Sequence, residues 1–380
     1  MTGRTVPETT LELRSTLTDD GTVTLGLQRS AIVAPGPDEV TVRIEAAPIN
    51  PSDLGMLFAM GDIGAATATE IDGLPAVSAP VSDRAVAGQR GRLGRSMPAG
   101  NEGGGIVVAA GSSADAQALL GKTVGFLSGN AYAEHRTVQV SQCLVMPDGT
   151  DPADAAAAFV NPLTALGMVE TMRAEGHTAL LHTVGASNLG QMLVRICLAD
   201  EVGLVNIVRN PDQVDLLRSQ GAAHICDSSA DSFVDDLTAA LRATGATIAF
   251  DAIGGGDLAG TILSRMEAVA GEQAGEFSRY GSDTFKQVYI YGGLDRGPTT
   301  LQRDFGMTWS IGGWLLTPFL AKLGTDGADR LRRRVADEIT TTFASSYGLR
   351  LSLEDAVDPE QVKRYGRMAT GDKALITPNT

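Results

Sequence analysis

Residues 178–190 read Thr-Ala-Leu-Leu-His-Thr-Val-Gly-Ala-Ser-Asn-Leu-Gly, and this stretch is the strongest indication of the fold class in the sequence. Its first part, 178–184, is an apolar run typical of a buried strand, and 185–190 has the frame Gly-x-Ser-x-x-Gly. A helix is predicted to follow over 191–200. Small residues between a strand and a helix let the backbone approach a phosphate, and the helix N-terminus supplies N–H donors. The context predicts a dinucleotide loop that places Gly185, Ser187, Asn188, Leu189 and Gly190 at a pyrophosphate. The alternative is an ordinary strand-to-helix turn.

The same alternation of strand and helix continues on both sides of this loop. We predict strands over 204–208, 223–226, 247–251 and 287–291, and helices over 212–220, 231–244 and 258–268. Before the loop, residues 151–174 predict one continuous helix with Asp151 as its N-cap. Strands at this spacing with helices between them are typical of a doubly wound parallel sheet, the Rossmann arrangement.

Residues 1–150 have a different pattern. Short alternating stretches at 11–13, 23–27, 40–44, 105–110, 123–127 and 136–140 predict antiparallel strands. Residues 61–95 are rich in Gly, Ala and Ser and lack periodicity, so we predict a long loop or insertion there. Residues 321–380 predict one or two helices and a last strand at 373–376. The fold class is therefore α/β, with a mostly-β domain followed by a Rossmann domain.

An arginine stands at the position that selects between dinucleotides. In an NAD-specific fold an acidic residue ends the second strand, ~20 residues after the loop, and binds the ribose 2′-hydroxyl. Here Arg209 and Asn210 stand at that point, and the first acid afterwards is Asp212. An arginine pairs with a 2′-phosphate whereas a carboxylate repels it, so we infer NADP(H). The alternative is that Arg209 is a solvated surface charge.

Composition narrows the classes of function. The chain has 380 residues and a net charge of −15, which disfavours a general nucleic-acid binder. Its start lacks a signal-peptide pattern and no apolar run approaches the ~20 residues of a membrane span, so we expect a soluble, cytoplasmic protein. The three cysteines, at 143, 197 and 226, form no Cys-x-x-Cys pair, and no His-Glu-x-x-His is present. These patterns give no support for a metal site.

Five motifs carry a resemblance to a known family. They are Ile-Asn-Pro-Ser-Asp (49–53), Gly-Asn-Glu-Gly-Gly-Gly (100–105), Val-Asn-Pro-Leu-Thr-Ala (160–165), Gly-Ala-Ser-Asn-Leu-Gly-Gln (185–191), and Tyr-Gly-Gly-Leu (291–294) with Gly-Gly-Trp-Leu-Leu (312–316). With these motifs in this order, the chain resembles the medium-chain dehydrogenases/reductases, in particular their zinc-independent quinone oxidoreductase and enoyl-thioester reductase branch. The resemblance implies a GroES-like catalytic domain over 1–153, to which 320–380 returns, and a Rossmann NADP(H)-binding domain over 154–319.

The resemblance also bears on metal binding. Zinc alcohol dehydrogenases of this family place Cys and His ligands where this chain has Asn50 and Asn101, and a third ligand near Asn161. Amides are poor zinc ligands, so no metal is expected. Hydrogen-bond donors would then stabilise the substrate oxyanion, and we expect Asn50 and Thr164 to do so, with Tyr132 as a further cleft residue. Each has a structural alternative: a turn residue before a proline, a helix residue and a core residue, respectively.

The resemblance implies further contacts with the cofactor. Asn161 is expected on the nicotinamide side, and Lys373 aligns with a C-terminal cofactor-binding lysine. The remaining residues expected to line the nicotinamide pocket through backbone groups are Tyr291, Gly292, Gly293, Leu294, Gly313, Trp314 and Leu315. Core packing is the alternative for Tyr291 and Trp314, and a solvated side chain is the alternative for Lys373.

These expectations lead to a hypothesis of function with two rivals. The first is an NADPH-dependent reductase of quinones or α,β-unsaturated carbonyls, working on a small molecule as a homodimer paired through an edge strand at 287–291. The second is a trans-2-enoyl thioester reductase. The related mitochondrial enzymes use a tyrosine as proton donor, and Ile63 stands at that position here. The third is a protein that binds NADPH without catalysis.

Overall fold

The computed structural model describes residues 6–275 and 278–379. The chain divides into two compact units: unit 1 comprises Met1–Val160 and Arg332–Thr380, and unit 2 comprises Asn161–Leu331. The first division lies at the start of the helix Val160–Ala174 and the second lies within the helix Leu316–Asp337, whereas the resemblance places them at 153/154 and 319/320.

The strands and helices are numbered along the chain. The strands are β1 Thr9–Leu17, β2 Thr22–Ala31, β3 Glu39–Pro48, β4 Thr67–Ile71, β5 Leu74–Pro80, β6 Met97–Pro98, β7 Glu102–Ala110, β8 Thr123–Leu127, β9 His135–Gln139, β10 Cys143–Val145, β11 Ala179–His182, β12 Gly203–Val208, β13 His224–Asp227, β14 Ile248–Asp251, β15 Gly254–Gly256, β16 Lys286–Ile290, β17 Asp295–Thr299, β18 Trp309–Gly313, β19 Leu349–Leu351 and β20 Ala374–Ile376. The helices are α1 Pro51–Phe58, α2 Asp83–Gly88, α3 Ala114–Ala118, α4 Pro152–Ala155, α5 Val160–Ala174, α6 Asn188–Ala199, α7 Pro211–Ser219, α8 Phe233–Thr244, α9 Leu258–Gln273, α10 Leu316–Asp337 and α11 Pro359–Gly366.

Unit 1 contains two sheets. One has the strand order β4-β5-β2-β1-β6, and the other has the order β10-β8-β7-β3-β20-β19, with β9 also paired to β3. Leu11, Leu13 and Leu17 of β1 are buried because the period-two alternation turns them to one face. The C-terminal strand β20 pairs antiparallel with β3 and parallel with β19, so both ends of the chain contribute to this sheet.

Unit 2 contains a parallel sheet with the strand order β13-β12-β11-β14-β16-β18. One face packs against α8 and α9 through a core that includes Leu181, Val205 and Val288. The parallel pairing is continuous from β13 to β18, and each crossover from β11 to β16 contains a helix. The predicted α/β class with a doubly wound parallel sheet is confirmed.

The prediction of a long loop over 61–95 is wrong. A 3₁₀ turn at Ile63–Ala65, the hairpin β4–β5 and the helix α2 occupy most of it. Every residue of β4 is exposed, so this strand carries no apolar alternation to detect. The Asp72-Gly73 turn has positive φ at both residues, 51° and 75°, which is the Asp-Gly hairpin signal.

The prediction of one helix over 151–174 is also wrong, because α4 ends at Ala155 and α5 begins at Val160. Asp151 does cap α4, accepting the N–H of Ala153 at 2.8 Å. The break lies where Glu102 Oε2 accepts the backbone N–H groups of Phe159 and Val160, each at 2.9 Å. A carboxylate from a distant strand therefore interrupts the helix, and the alanine run at 155–158 carries no local sign of it.

The prediction of an edge strand at 287–291 is wrong as well. These residues correspond to β16, which lies between β14 and β18, so β18 is the edge strand on that side. The strand β18 is hard to predict because its sequence, Trp-Ser-Ile-Gly-Gly, ends in two glycines and lacks alternation. Residues 254–256 and 295–299, for which the sequence predicts no strand, form the small parallel pair β15–β17.

Candidate functional site

The loop Gly185–Gly190 of unit 2 connects β11 to α6. Ser187 is the N-cap of α6, and its hydroxyl accepts the N–H of Gly190 at 3.0 Å. The side chain of Gln191 donates to Ala186 O at 3.0 Å and holds the other side of the loop. The loop is therefore closed by its own side chains at the start of a 12-residue helix, where N–H groups and the helix dipole favour an anion.

Two glycines of this loop have no room for a side chain. A Cβ at Gly190 would lie 2.2 Å from Gly185 O, and a Cβ at Gly185 would lie 2.9 Å from Asn206 Cβ and 3.0 Å from Leu217 Cδ1. The helix can approach the loop, and the loop can approach β12, only because both positions are glycine. The residue types in the motif thus match the close backbone packing that a dinucleotide loop requires.

The residue before the loop is strained. Val184 has φ of 61°, a left-handed conformation that is rare for a β-branched side chain. Such conformations cost ~1–3 kcal/mol and concentrate at ligand sites. The strain lies at the junction of β11 and the loop, where the chain turns to present its N–H groups.

The end of β12 carries Arg209 and Asn210. Arg209 is exposed, and its N–H donates to Gln213 Oε1 at 3.0 Å. The side chain of Asn210 accepts the N–H of Gln213 at 3.0 Å and is the N-cap of α7, so its role in the structure is to stabilise this helix. The exposed guanidinium of Arg209 is therefore the charged group at the strand end.

Tyr291 directly follows β16, and its side chain points into unit 2. Its hydroxyl lies 2.6 Å from His182 Nε2, and the two rings stack with centroids 5.8 Å apart. Burial lowers the pKa of His182 to about 3, so this histidine is neutral at physiological pH. The residues after Tyr291, Gly292, Gly293 and Leu294, are exposed, which leaves their backbone as the part of the segment accessible to a ligand.

Trp314 is a packing residue in the structure. Its Nε1–H donates to Thr171 Oγ1 at 3.0 Å, its ring meets Phe250 edge-on at 6.0 Å, and its backbone N–H donates to Ile290 O. The flanking residues Gly313 and Leu315 are exposed. The side chain of Trp314 therefore anchors the segment after β18, and only its neighbours are accessible.

The first turn of α5 carries Asn161 and Thr164. Both are 7% exposed, and their spacing of three residues places them on the same side of the helix. The resemblance implies that Asn161 lies on the nicotinamide side, and the need for a hydrogen-bond donor leads us to expect Thr164 at the substrate oxyanion. Their polar side chains in the first turn of a buried helix suit either role.

In unit 1, Asn50 connects two buried carboxylates. Its backbone N–H donates to Asp53 Oδ2 and its Nδ2–H donates to Glu102 Oε1, both at 2.8 Å. The N–H of Asn101 donates to Asp53 Oδ1 at 2.8 Å. Burial, with Glu102 nearby, raises the pKa of Asp53 to about 7 although the two N–H groups favour its charged form. Burial also raises the pKa of Glu102, and Lys373 opposes that shift.

Lys373 lies close to this carboxylate cluster rather than in solvent. Its Nζ is buried 5.6 Å from the centroid of the Tyr347 ring and has no hydrogen-bond partner among the described residues. Burial lowers the pKa of Lys373 to about 8, although the negative charges of Glu102 and Asp53 oppose the shift. This environment differs from the solvated alternative considered from sequence.

Tyr132 lies in the interior of unit 1. Its side chain is fully buried in the core of unit 1, and its hydroxyl donates to Pro48 O at 3.0 Å. Burial raises the pKa of Tyr132 well above its usual value. Of the interpretations of this residue, core packing is the one that the geometry favours.

The metal positions can also be placed. Asn50 and Asn101 flank the carboxylates of unit 1, and Asn161 starts α5. Within residues 6–275 and 278–379, no group of three His, Cys, Asp or Glu side chains converges in a way that could hold a metal ion.

Several polar residues close to the loop escaped the sequence analysis. Thr183 donates to Asp251 Oδ1 at 2.9 Å, and the N–H groups of Ile253 and Gly254 donate to the same carboxylate. His182 and Asn206 are also fully buried in β11 and β12. The only sign of these residues in the sequence is that each is polar within an otherwise apolar strand. A polar residue without a function at such a position has the same sequence pattern, so the two cases are indistinguishable from sequence alone.

Comparison of the sequence with known proteins gives relatives of low identity. No family model matches the chain. It is 28% identical to the synaptic vesicle membrane protein VAT-1 homolog of Rattus norvegicus over 60% of this chain and 49% of that protein. It is 29% identical to the mitochondrial enoyl-[acyl-carrier-protein] reductase of Bos taurus over 52% of this chain and 48% of that protein. The chain spans about half the length of these curated relatives. In the described part of this chain, no helix has the length and apolar character to cross a membrane.

Comparison of the structure gives similarity over nearly the whole chain. A Mesorhizobium loti protein assigned as an NADPH:quinone reductase matches with a TM-score of 0.73 at 24% identity, over 99% of this chain and 100% of the other. The Escherichia coli quinone oxidoreductase, solved in complex with NADPH, matches with a TM-score of 0.67 at 16% identity, over 97% and 100%. These comparisons show that the chain shares its fold with the two reductase structures. The sequence relatives agree with the resemblance to the medium-chain dehydrogenases/reductases that the ordered motifs carry.

Proposed function

We propose that the protein is an NADP(H)-dependent oxidoreductase that reduces quinones or α,β-unsaturated carbonyl compounds. The observation that carries the proposal is the loop Gly185–Gly190 together with Arg209, an exposed cation where an NAD-specific fold has an acid. The loop would hold the pyrophosphate and Arg209 would hold the 2′-phosphate. The Bos taurus relative and the Mesorhizobium loti structure are both named as reductases, which supports the same class of reaction.

When bound, the nicotinamide would supply a hydride to a conjugated carbon of the substrate. The residues of the chain would bind, orient and stabilise charge. We retain Thr164 as the proposed donor to the substrate oxygen. The Nδ2–H of Asn50 donates to Glu102 Oε1 and the hydroxyl of Tyr132 donates to Pro48 O, so we assign neither group to the substrate. Asn161 and the exposed backbone after β16 and β18 would orient the nicotinamide ring.

Fluorescence titration of the purified protein with NADPH and with NADH tests the cofactor assignment. Loss of a charge-assisted hydrogen bond to phosphate costs ~1.5–3 kcal/mol, or roughly 10- to 150-fold in Kd. We expect Arg209→Asp to weaken NADPH binding by at least this factor and to leave NADH binding within about threefold. The matched control is Arg218→Asp, the same charge change on the exposed side of α7, where Arg218 pairs with Asp215. Equal losses in both variants would contradict the assignment of Arg209.

The substrate class requires turnover assays at 340 nm with a panel of quinones and enones. Turnover of either class at the expense of NADPH supports the proposal. Tight NADPH binding without turnover in either class would favour the third hypothesis, a protein that binds the dinucleotide without catalysis.

A trans-2-enoyl thioester reductase is the second candidate, and the similarity to the Bos taurus enzyme favours it. Against it, Ile63 occupies the position of the expected tyrosine, and its side chain packs against Gly366, where an added Cβ would lie 2.7 Å from Ile63 Cγ2. A crotonyl or hexenoyl thioester assay separates the two candidates. Turnover of the thioester above that of free enones would favour the second.

We further propose that the protein is a homodimer paired through β18. This strand is the edge of the parallel sheet, and an edge strand presents unpaired backbone groups to a second copy. Light scattering is the test, and a monomer mass at micromolar concentration would contradict the proposal.

A further inference from the structure

Among the polar atoms of unit 2 that are buried without a hydrogen-bond partner in the described residues, three belong to the adjacent strands β11 and β12. They are both atoms of the Asn206 carboxamide, Oδ1 and Nδ2, and His182 Nδ1. Asn206 is 1% exposed and His182 is 0% exposed, so bulk water does not reach them. Buried polar groups are almost always hydrogen-bonded, because leaving one unpaired is costly.

The two side chains lie beside each other. His182 and Asn206 are paired positions in the parallel register of β11 and β12, and paired positions project to the same face of a sheet. His182 is held on its other side by the hydroxyl of Tyr291, 2.6 Å from Nε2. Its ring orientation is therefore set, and Nδ1 is directed away from Tyr291 because the two ring nitrogens lie on opposite sides of the imidazole.

The carboxamide of Asn206 also faces the dinucleotide loop. A Cβ added at Gly185 would lie 3.0 Å from Asn206 Oδ1, so the amide oxygen is next to the first residue of the loop. The N–H of Gly185 already donates to Ile207 O at 2.9 Å, which ties the loop to the residue after Asn206. The unpartnered atoms thus lie beneath the loop, between the two strands whose ends support it.

A buried water molecule satisfies such a group of atoms, because ordered internal waters typically make about three hydrogen bonds to polar groups that lack other partners. The atoms provide at least one donor, Asn206 Nδ2, and one acceptor, Asn206 Oδ1, and His182 Nδ1 serves as either according to its tautomer. None of these atoms belongs to a charged side chain, so the group suits a neutral water molecule and not an ion.

We propose that Asn206 and His182 bind an ordered water beneath Gly185 and act as positioning residues for the loop that receives the dinucleotide. The positioning role rests on the proposed NADP(H) function, whereas the water site does not depend on it. The water connects β11, β12 and the loop, so that the N–H groups of the loop are fixed before a pyrophosphate arrives. Neither residue contacts the dinucleotide; both act through the loop.

A pair of isosteric variants tests the positioning role. Asn206→Thr and Asn206→Val have the same shape and differ in one hydroxyl, so both change packing equally and only Thr retains a group that bonds to water. We expect NADPH to bind about tenfold more weakly to Asn206→Val than to Asn206→Thr in a fluorescence titration. We expect the Tm of Asn206→Val to equal or exceed that of Asn206→Thr, because Val leaves no unpaired polar group. A purely structural role would change Kd in both variants alike, and equal Kd values would overturn the proposal.

Two further measurements keep the outcome clear. Ser264→Ala removes a buried hydroxyl on α9, in contact with Asp304, and should leave the Kd for NADPH unchanged. A high-resolution crystal structure of the wild-type protein should show a water within hydrogen-bond distance of Asn206 and His182 Nδ1, and a site without water would overturn the proposal even if the variants do not fold. If the wild-type protein shows this water but binds neither dinucleotide, the proposed function fails while the water site stands.

Discussion

Gly190→Ala is the perturbation for which the structure gives the clearest magnitude. The added methyl group would lie 2.2 Å from Gly185 O, 2.6 Å from Gly185 C and 2.9 Å from Gly185 Cα, all backbone atoms that cannot rotate away. Relief requires the start of α6 to move by about 1 Å from the loop, and overpacking of this kind costs ~1–3 kcal/mol. Alanine in a helix regains ~1 kcal/mol relative to glycine. Because the clash involves three backbone atoms, we take the upper value of ~3 kcal/mol for overpacking. Subtracting the ~1 kcal/mol regained from alanine, we expect the free energy of unfolding to fall by about 2 kcal/mol.

The control for this variant is Gly271→Ala in α9, where an added Cβ meets nothing within 4 Å. The same chemical change should stabilise the protein there by ~0.5–1 kcal/mol. Thermal unfolding of the two variants should give shifts of opposite sign, with Gly190→Ala lower by about 4–8 °C for a unit of this size. NADPH binding should weaken at least tenfold in Gly190→Ala and stay unchanged in Gly271→Ala. Wild-type stability and binding in Gly190→Ala would refute the assignment of this loop.

Three other changes have defined outcomes. Val184→Asn should raise the Tm by about 2–4 °C, because asparagine tolerates the positive φ of this position better than valine does, and a lower Tm in a thermal melt would show that the strain is absent. Asp53→Asn should flatten the pH dependence of stability. Since the pKa of Asp53 is raised from 3.8 to about 7, the folded protein keeps a proton that the unfolded chain has lost, and the free energy of unfolding falls as the pH rises through this window. Denaturant titrations from about pH 4 to about pH 7 should show a slope that the variant lacks. Tyr132→Phe should cost ~1 kcal/mol by leaving Pro48 O unpaired, with kcat for a quinone within twofold of wild type; a tenfold loss in kcat would restore Tyr132 as a catalytic residue.

The sequence predicts unit 2 better than unit 1, and the reason is the range of the interactions. The strands β11, β12, β13, β14 and β16 are mostly apolar runs between turn residues, and this pattern can be recognised from the local sequence. The hairpin β4–β5 lacks that signal because β4 is exposed throughout. The break between α4 and α5 depends on Glu102, which belongs to β7 and is far from both helices in the sequence.

The residues of the candidate site divide in the same way. The loop Gly185–Gly190 is identifiable because its chemistry is local: a strand, small residues and a helix N-terminus in direct succession. The electrostatic interaction of Lys373 with Glu102 and the hydrogen bond between His182 and Tyr291 each join residues that lie far apart in the chain. Such contacts are fixed by the topology, so a single sequence gives no direct sign of them. Asn210 differs from both cases: its position in the sequence suggests a cofactor contact, but its side chain caps α7.

The pairing of β20 with β3 has a consequence for the order in which the molecule is built. Leu375, near the end of the chain, is paired with Pro48, near its beginning, and β20 is the strand that connects β19 to the rest of its sheet. Unit 2 is a single uninterrupted stretch, so it can complete its sheet while the ribosome is still synthesising the chain. The segment Met1–Val160, by contrast, leaves the ribosome with β9 paired to Glu39–Arg43 of β3 but with Ala47 and Pro48 unpaired on this edge until β20 has been synthesised. Closing so large a loop is slow, and that interval is when the nascent protein is most exposed to mispairing.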